Sequence, residues 1–506
     1  MRILGVFTCC ATIAAVASVH ALSAQTGAGK TESKLRIESS DKKLAAGFEW
    51  AKRQALSYAF ERDPVGPWYE AALPGREAFC MRDVSHQATG AHALGLARHT
   101  KNMLRHFAEN ISASKDWCSY WEIDRYNRPA PADYVSDADF WYNLPANFDV
   151  ADTCYRMFAW SGDLDYVNDP VFQHFYERTV KDYVERWDLG AGRVMKRQRR
   201  MNVPGPAGAR RRFGMARGIP GYDEGNPNYA LAVDLLDAQY AAYLAYARFQ
   251  QMRGNRDLTQ AYLKKAADVR ALVNSAFWEE AGGFFYSHVG PEHKLEGRGG
   301  LDLLYRDIVD DGPKARGALN AMLEAIRKDP SSRAVEIQSH QAEILYRYGM
   351  PDAAYAQMMD LTREGRTRRE YPEVCFSVIG ALVTGLMGIT VDPVSPFQAS
   401  QEDGFTDRIV RTLPGLGSIA WAEMRNLPVR ANEVAVRHEG GRKTALTNQT
   451  GPALVWQACF EGPHETLLVD GQAVRARIEK RPVGRTVSSA RVTVGAGGTV
   501  TVEVPR

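Results

Sequence analysis

Cysteine is scarce in this chain: seven in 506 residues. Cys9 and Cys10 lie near the start, which leaves Cys80, Cys118, Cys154, Cys375 and Cys459 for a folded body. An odd, sparse set of thiols excludes a disulfide scaffold and reads as buried apolar residues, with one bridging pair left open. There is no C-x-x-C, H-E-x-x-H or EF-hand loop, so no dedicated metal site is expected. There is also no G-x-S-x-G elbow to support a serine triad, and no dinucleotide fingerprint or Walker loop to support a nicotinamide or nucleotide enzyme. No cofactor is therefore expected. Beyond the first 24 residues no apolar run approaches the ~20 residues of a membrane span. Net charge is only +3, so a strong overall attraction for polyanions is missing too.

The charge is uneven, however. Arg193, Lys196, Arg197, Arg199, Arg200, Arg210, Arg211, Arg212 and Arg217 crowd residues 193–217 with no acid among them. This stretch reads as a solvated loop or as a binding rim for an anionic sugar polymer. Nucleic acid is not expected, because no reader module accompanies the patch. Residues 1–24 combine an early basic residue, a short apolar run and a small-residue finish at Val19-His20-Ala21 or Ser23-Ala24. That layout is a secretory signal, with a membrane anchor as the alternative, and implies a periplasmic or secreted protein without stable membrane insertion after signal removal.

A polar leader covers 25–40. Helical patterning then dominates 41–392, with segments predicted at 44–60, 87–109, 147–161, 170–187, 228–250, 256–277, 314–328, 334–348, 351–362 and 374–388. Long loops at 110–146, 188–227, 278–300 and 363–373 hold much of the Trp, Tyr, Asp, Glu and Arg. Such loops exceed ordinary helix connections and suit a ring of helical hairpins whose long loops gather at one end. From 393 to 506 the pattern changes to short strands at 432–438, 443–447, 453–459, 473–478, 490–494 and 499–504, a small β-sandwich-like domain. Asn448-Gln449-Thr450 matches the N-glycosylation pattern.

Three stretches carry most of the chemistry. The first is Pro74-Gly75-Arg76-Glu77-Ala78-Phe79-Cys80-Met81-Arg82-Asp83-Val84-Ser85-His86-Gln87, where acidic, basic, aromatic and imidazole groups precede an amphipathic helix. The second is Gly221-Tyr222-Asp223-Glu224-Gly225-Asn226, just before a central helix. The third is Tyr371-Pro372-Glu373-Val374-Cys375-Phe376-Ser377-Val378-Ile379-Gly380-Ala381, followed by Gly385-Leu386-Met387-Gly388-Ile389.

Together these stretches resemble the six-hairpin, (α/α)6-barrel glycosidases, the group of glucoamylase-like, debranching and α-L-rhamnosidase-like enzymes. The likeness covers roughly residues 40–390, without the full signature of one family and without the tryptophan-rich acid loop of glucoamylases. It implies an (α/α)6 barrel with a small C-terminal β-sandwich and a sugar-processing activity. It also implies that Arg82-Asp83 hydrogen-bonds hydroxyls of a terminal sugar and that an acid sits near Glu224. Related barrels house lyases and epimerases, so fold alone does not name the bond.

Inverting hydrolysis needs a protonated acid beside the leaving oxygen and a carboxylate facing water, ~6.5–9.5 Å apart. Glu224 is the expected acid, with Asp223 as its alternative. Glu373 is the expected base, with Glu370 competing, and Glu122 and Asp124 are reserve carboxylates. Arg82, Asp83 and His86 are expected to bind substrate hydroxyls by charge-assisted bonds. Trp121 and Trp141 are candidate stacking platforms, Asp139 and Asn143 a polar rim, and His340 a pocket-lining residue or a buried capping histidine. The expected function is a glycoside hydrolase acting on an oligosaccharide or polysaccharide, an anionic one included. The alternatives are a lyase acting on uronate-containing glycans and a non-catalytic secreted glycan-binding protein.

Overall fold

The computed structural model describes residues 32–197, 212–214, 216–224, 229–329, 335–391 and 409–506. Twelve helices build the larger part: α1 Lys42–Ser57, α2 Met81–Ala93, α3 Ala97–Glu109, α4 Pro145–Ser161, α5 Pro170–Arg178, α6 Val233–Met252, α7 Arg256–Ala276, α8 Leu301–Tyr305, α9 Pro313–Lys328, α10 Val335–Arg347, α11 Pro351–Thr362 and α12 Pro372–Ala381. The even-numbered helices pack on one another in chain order, and α12 returns to pack on α2, closing an inner ring of six. The odd-numbered helices lie outside: α1 packs on α12, α3 on α2, α7 on α6, α9 on α8 and α11 on α10, while α5 packs on α3. This is an (α/α)6 barrel.

Local sequence explains the two layers. An inner helix is covered on every side, so it is apolar all round, whereas an outer helix keeps a polar face. In α6, sixteen residues are buried, including Asp234, Asp237 and Gln239. Boundary chemistry is also explicit. Asp41 caps α1 by accepting from Lys43 N and Leu44 N, Asp169 caps α5 just before Pro170, and Gly162 ends α4 at φ +71°. Caps of this kind satisfy backbone N–H groups with no intrahelical partner.

The helix expected at 87–109 is two helices. It starts earlier, at Met81, and breaks where Gly95 takes φ +86°, turning the chain from the inner to the outer ring. The periodic spacing across 87–109 survives because Leu94 and Leu96 are both buried at the turn. The α8 segment was not expected, since five residues are too few to show a period. The helices expected at 170–187 and 374–388 widen into π-helical turns at Thr179–Tyr183 and Leu382–Leu386.

The C-terminal part is a two-sheet sandwich made from β1 Arg36–Ser39, β2 Ile409–Thr412, β3 Trp421–Val429, β4 Asn432–Glu439, β5 Lys443–Thr450, β6 Leu454–Glu461, β7 Thr466–Val469, β8 Gln472–Arg475, β9 Arg477–Arg481, β10 Arg485–Val494 and β11 Thr499–Glu503. One sheet runs β1-β3-β4-β5-β11-β7-β8 and the other β2-β6-β10-β9. Residues 36–39, read as polar leader, form an edge strand antiparallel to β3, with Ile37 opposite Met424. Asn448 is fully buried, donating to the carbonyls of Pro452 and Val494, so its sequon is closed to glycosylation in the folded protein. The five described cysteines are buried and unbridged. No helix among the described residues is long and apolar enough to cross a membrane. The signal-like segment 1–24 lies outside the described residues.

The sandwich caps the ring where the inner helices end. Arg430 N donates to Trp160 O at 2.6 Å, His92 Nε2 lies 3.2 Å from Pro428 O, and His438 Nε2 lies 3.0 Å from Met387 O beyond α12. The N-terminal ends of the inner helices therefore face away from the sandwich.

Two inner helices touch closely at one glycine. A Cβ on Gly90 would sit 2.0 Å from the Phe376 carbonyl oxygen, an atom of the neighbouring backbone that cannot rotate away. Gly90→Ala should destabilise the barrel by about 1–3 kcal/mol, the usual cost of overpacking. Gly192→Ala, whose Cβ meets nothing within 4 Å, should stay within about 0.5 kcal/mol. Parallel thermal unfolding of the two variants checks this, and equal melting temperatures would contradict the close approach.

Candidate active site

A short antiparallel ladder first brings two of the sequence motifs together. Phe79 pairs with Ile123 and Cys80 with Glu122, so the Arg76–Gln87 segment lies beside the aromatic loop. The chain then enters α2 at Met81, which puts Arg82 and Asp83 in the first helical turn rather than in a loop. Arg82 donates to Asp83 Oδ1 from Nε at 3.2 Å and from Nη2 at 3.1 Å. Burial pushes the Asp83 carboxyl up to about 7. Arg82 opposes this, and the nearby charge of Glu373 adds to it. Burial works against the Arg82 charge, but Asp83, Glu373 and Glu224 hold it strongly cationic.

Glu373 sits in the first turn of α12 and is fully buried. Its Oε1 is 3.0 Å from His86 Nδ1 and 3.3 Å from His340 Nε2, so one carboxylate oxygen ties α12 to α2 and α10. The two imidazoles meet edge to face at 3.9 Å between centroids. Burial alone would raise the Glu373 pKa, but the bonds from His340 and His86 and the charge of Arg82 hold it well below the usual carboxylate range. Burial and His340 keep His86 neutral, so its Nδ1–H is the donor to Glu373. Glu373 Oε2 is buried without a hydrogen-bond partner.

Glu224 is exposed at the surface, yet enough protein surrounds its carboxyl to raise its pKa. Arg82 and a bond from Asn143 oppose that rise. Arg82 feels the charges of both Glu224 and Glu373, one carboxyl pushed up and one held down. Tyr222 sits below this arrangement: the Arg82 guanidinium lies 5.4 Å from its ring centre, and its hydroxyl donates to Asp149. Asp149 also accepts from Arg306 Nη2, and Arg306 Nη1 donates to Asp237 at 3.1 Å.

Asp149, Asp237 and Arg306 were missed by sequence reasoning, as were Asp234 and Asp302. Their signal was present for Asp234 and Asp237, which are acids on a helix with no polar face. Asp234 accepts from Tyr222 N at 2.5 Å and Leu235 N at 2.8 Å. Burial and the charge of Asp302 push it well above the ordinary value. Asp302 is exposed to solvent, yet surrounding protein raises its pKa against the charges of His340 and Arg306. Access combined with enclosure marks a concave surface.

Other expected residues have different places. Glu122 is buried 2.6 Å from Arg76 Nη2, which also lies 2.6 Å from Asp133. Burial and a bond shared with Asp133 push Glu122 up to about 10. Asp124 is a turn residue, accepting from Tyr126 N, Arg128 N and the Arg128 guanidinium. Asp139 pins backbone, accepting from Arg212 N and Phe213 N. Glu370 points outward, and Asp223 is exposed. Trp121 is buried against Tyr142 and Tyr222, a wall rather than an open platform. Trp141 is half-buried, donating to Asn143 Oδ1 at 2.8 Å, while Asn143 donates to Gly221 O.

The arginine-rich stretch lies largely outside the described residues. Within them, Arg197 is buried, donating to Trp187 O and Ala230 O, and Arg217 is buried against Asp116. Those two support structure rather than a rim.

Among the described residues, His86, His340 and Glu373 form the group whose ligand atoms lie close enough, within 4.8 Å, to hold a metal ion. Their contacts are equally those of a hydrogen-bonded clasp, and the Arg82 charge beside Glu373 opposes a cation there.

No family model matches the chain, and no curated protein matches it in sequence. Solved structures do match. An α-L-rhamnosidase from Dictyoglumus thermophilum aligns with TM-score 0.56 and 14% identity over 93% of this chain and 50% of its own. A putative kojibiose phosphorylase from human microbiome aligns with TM-score 0.54 and 10% identity, over 92% and 60%. An α-L-rhamnosidase from Aspergillus terreus gives 0.52 and 14%, over 91% and 50%. The chain spans about half the length of these rhamnosidases. At such identities the likeness is one of fold, an (α/α)6 barrel with a β-sandwich.

Proposed function

We propose that this protein is an exported glycoside hydrolase that removes a terminal sugar or oligosaccharide from a glycan, with inversion at the anomeric carbon. One observation carries the reading: Arg82 acts on both carboxyls, yet Glu224 is pushed toward its protonated form while Glu373 is held ionised. Carboxyl groups whose environments drive their pKa values apart take acid and base roles at one pH. The glycosidase-type fold supports a carbohydrate as substrate, and a site at one end of a closed ring suits a chain end.

In this mechanism Glu224 gives its proton to the glycosidic oxygen as the bond to the anomeric carbon breaks. Water attacks that carbon from the opposite face and passes its proton to Glu373. The acceptor is Oε2, the oxygen without a partner, since Oε1 lies against His86 and His340; Oε2 is buried, so the step requires water to enter beside it. The Arg82–Asp83 pair holds sugar hydroxyls, and the His86 and His340 imidazoles orient Glu373.

Replacing Glu224 or Glu373 by Gln should lower the chemical step by ~10²–10⁴-fold with unchanged circular dichroism. Near-normal turnover by either variant on a substrate found by oligosaccharide screening would remove that residue from its role. NMR of the first-formed sugar should show the inverted anomer; the retained anomer would contradict the pairing.

The pH profile has a definite sign. Activity should fall as pH drops only well below the ordinary carboxylate range, where Glu373 protonates, and should fall again as pH rises past the elevated pKa of Glu224. Glu224→Gln should abolish the alkaline limb of kcat/KM and leave the acid limb in place. Activity should also persist after exhaustive chelation; loss that zinc or another divalent ion restores would instead assign the His86–His340–Glu373 group to a metal.

A further inference from the structure

A second chemical environment lies at the other end of the ring. Between the C-terminal ends of the inner helices and the sandwich is a cavity of about 660 Å³, lined from both parts of the protein. That volume is in the range of small-molecule sites and suits a molecule of mono- to disaccharide size. Eight arginines and five carboxylates line it. Glu479, the acid facing Arg411 and Arg481, is not part of the lining, so arginines outnumber carboxylates there.

The polar groups are not all satisfied. Arg411 and Arg481, on the sandwich side, lean on one carboxylate, Glu479, at 3.5 and 3.9 Å. Charge-assisted hydrogen bonds are normally ~2.7–2.9 Å, so both guanidinium groups keep bonding capacity. Arg481 Nε is buried without a hydrogen-bond partner, and so is the Tyr346 hydroxyl on the barrel side. Buried donors left unpaired cost stability, and a bound acceptor relieves that cost. Both residues belong to the cavity lining.

We infer that this cavity is a binding site for a small anion carrying a carboxylate or phosphate on a sugar-sized body. Guanidinium forks match either oxyanion, and Tyr305 and Tyr346 supply ring surface beside them. The site is separate from the carboxylate cluster but close to it: Tyr305 lines the cavity, and its ring packs 5.7 Å from His86 and 5.0 Å from His340. Arg306 likewise lines the cavity while bonding Asp149 and Asp237.

The test is calorimetric titration of the full protein with glucuronate, glucose 6-phosphate, inorganic phosphate and neutral glucose. The expected result is binding of one or more anions with a clear preference over glucose, retained in Glu373→Gln and lost in Arg411→Gln/Arg481→Gln. Preference between the uronate and the phosphates identifies the source of the oxyanion. Tyr346→Phe deletes one hydroxyl and serves if the double variant does not fold; it should weaken binding roughly 5-fold. Binding by none of the probes, equal binding of glucose, or anion binding untouched by these substitutions would overturn the inference. No turnover is read, so failure of the glycosidase assignment and failure of this site remain separate results.

Discussion

The Glu373 carboxylate is the constraint on which the rest of this site depends. One of its oxygens joins His86 of α2 and His340 of α10 to the first turn of α12, so three of the six inner helices meet at one atom. A buried ionised carboxylate is costly unless it is paired and hydrogen-bonded. Here the imidazoles of His86 and His340 and the Arg82 charge meet that demand. The same arrangement fixes the direction of the other oxygen, because a carboxylate anchored at Oε1 cannot freely rotate.

Around this clasp, hydrogen bonding separates carboxyls that hold the fold together from carboxyls left open to solvent. Asp124 and Asp139 accept backbone N–H groups and hold loops in place. Asp149 and Asp237 are tied to the partly buried Arg306 and brace α4, α6 and the end of α8. Glu224 and Asp302 differ because they are open to solvent while their surroundings still favour the protonated form. An accessible carboxyl that keeps its proton is the type of group acid catalysis requires.

The two ends of the ring have divided roles because helix direction divides them. All inner helices present their N-terminal turns to the carboxylate cluster, where free N–H groups and the positive ends of helix dipoles favour anions. Their C-terminal ends are occupied by the sandwich, which bonds to Trp160 O, Met387 O and Arg347 O. Carbonyls left over at helix ends need donors, and His438 and Arg485 of the sandwich supply them. The arginine-lined cavity lies within that junction.

Much of this was legible in the sequence. The change from helical to strand periods separates the two parts of the fold, and the three motifs single out Arg82, Asp83, His86, Glu224 and Glu373 as candidates, although Arg82 and Asp83 were expected in a loop and lie in the first turn of α2. Gly95 shows where such reading stops: its turn conserves the apolar spacing on both sides, so two helices look like one. Asp124 and Asp139 looked like site acids because composition cannot tell a carboxylate facing substrate from one facing its own backbone. His340, 33 residues before Glu373, met it only through the packing of α10 on α12. The sequence by itself determined which segments are amphipathic or wholly apolar, and hence the two-layered ring, because burial of apolar surface acts on local periodicity. Tertiary structure alone decided which acids are ionised, because that depends on neighbours brought from distant helices into a low-dielectric interior.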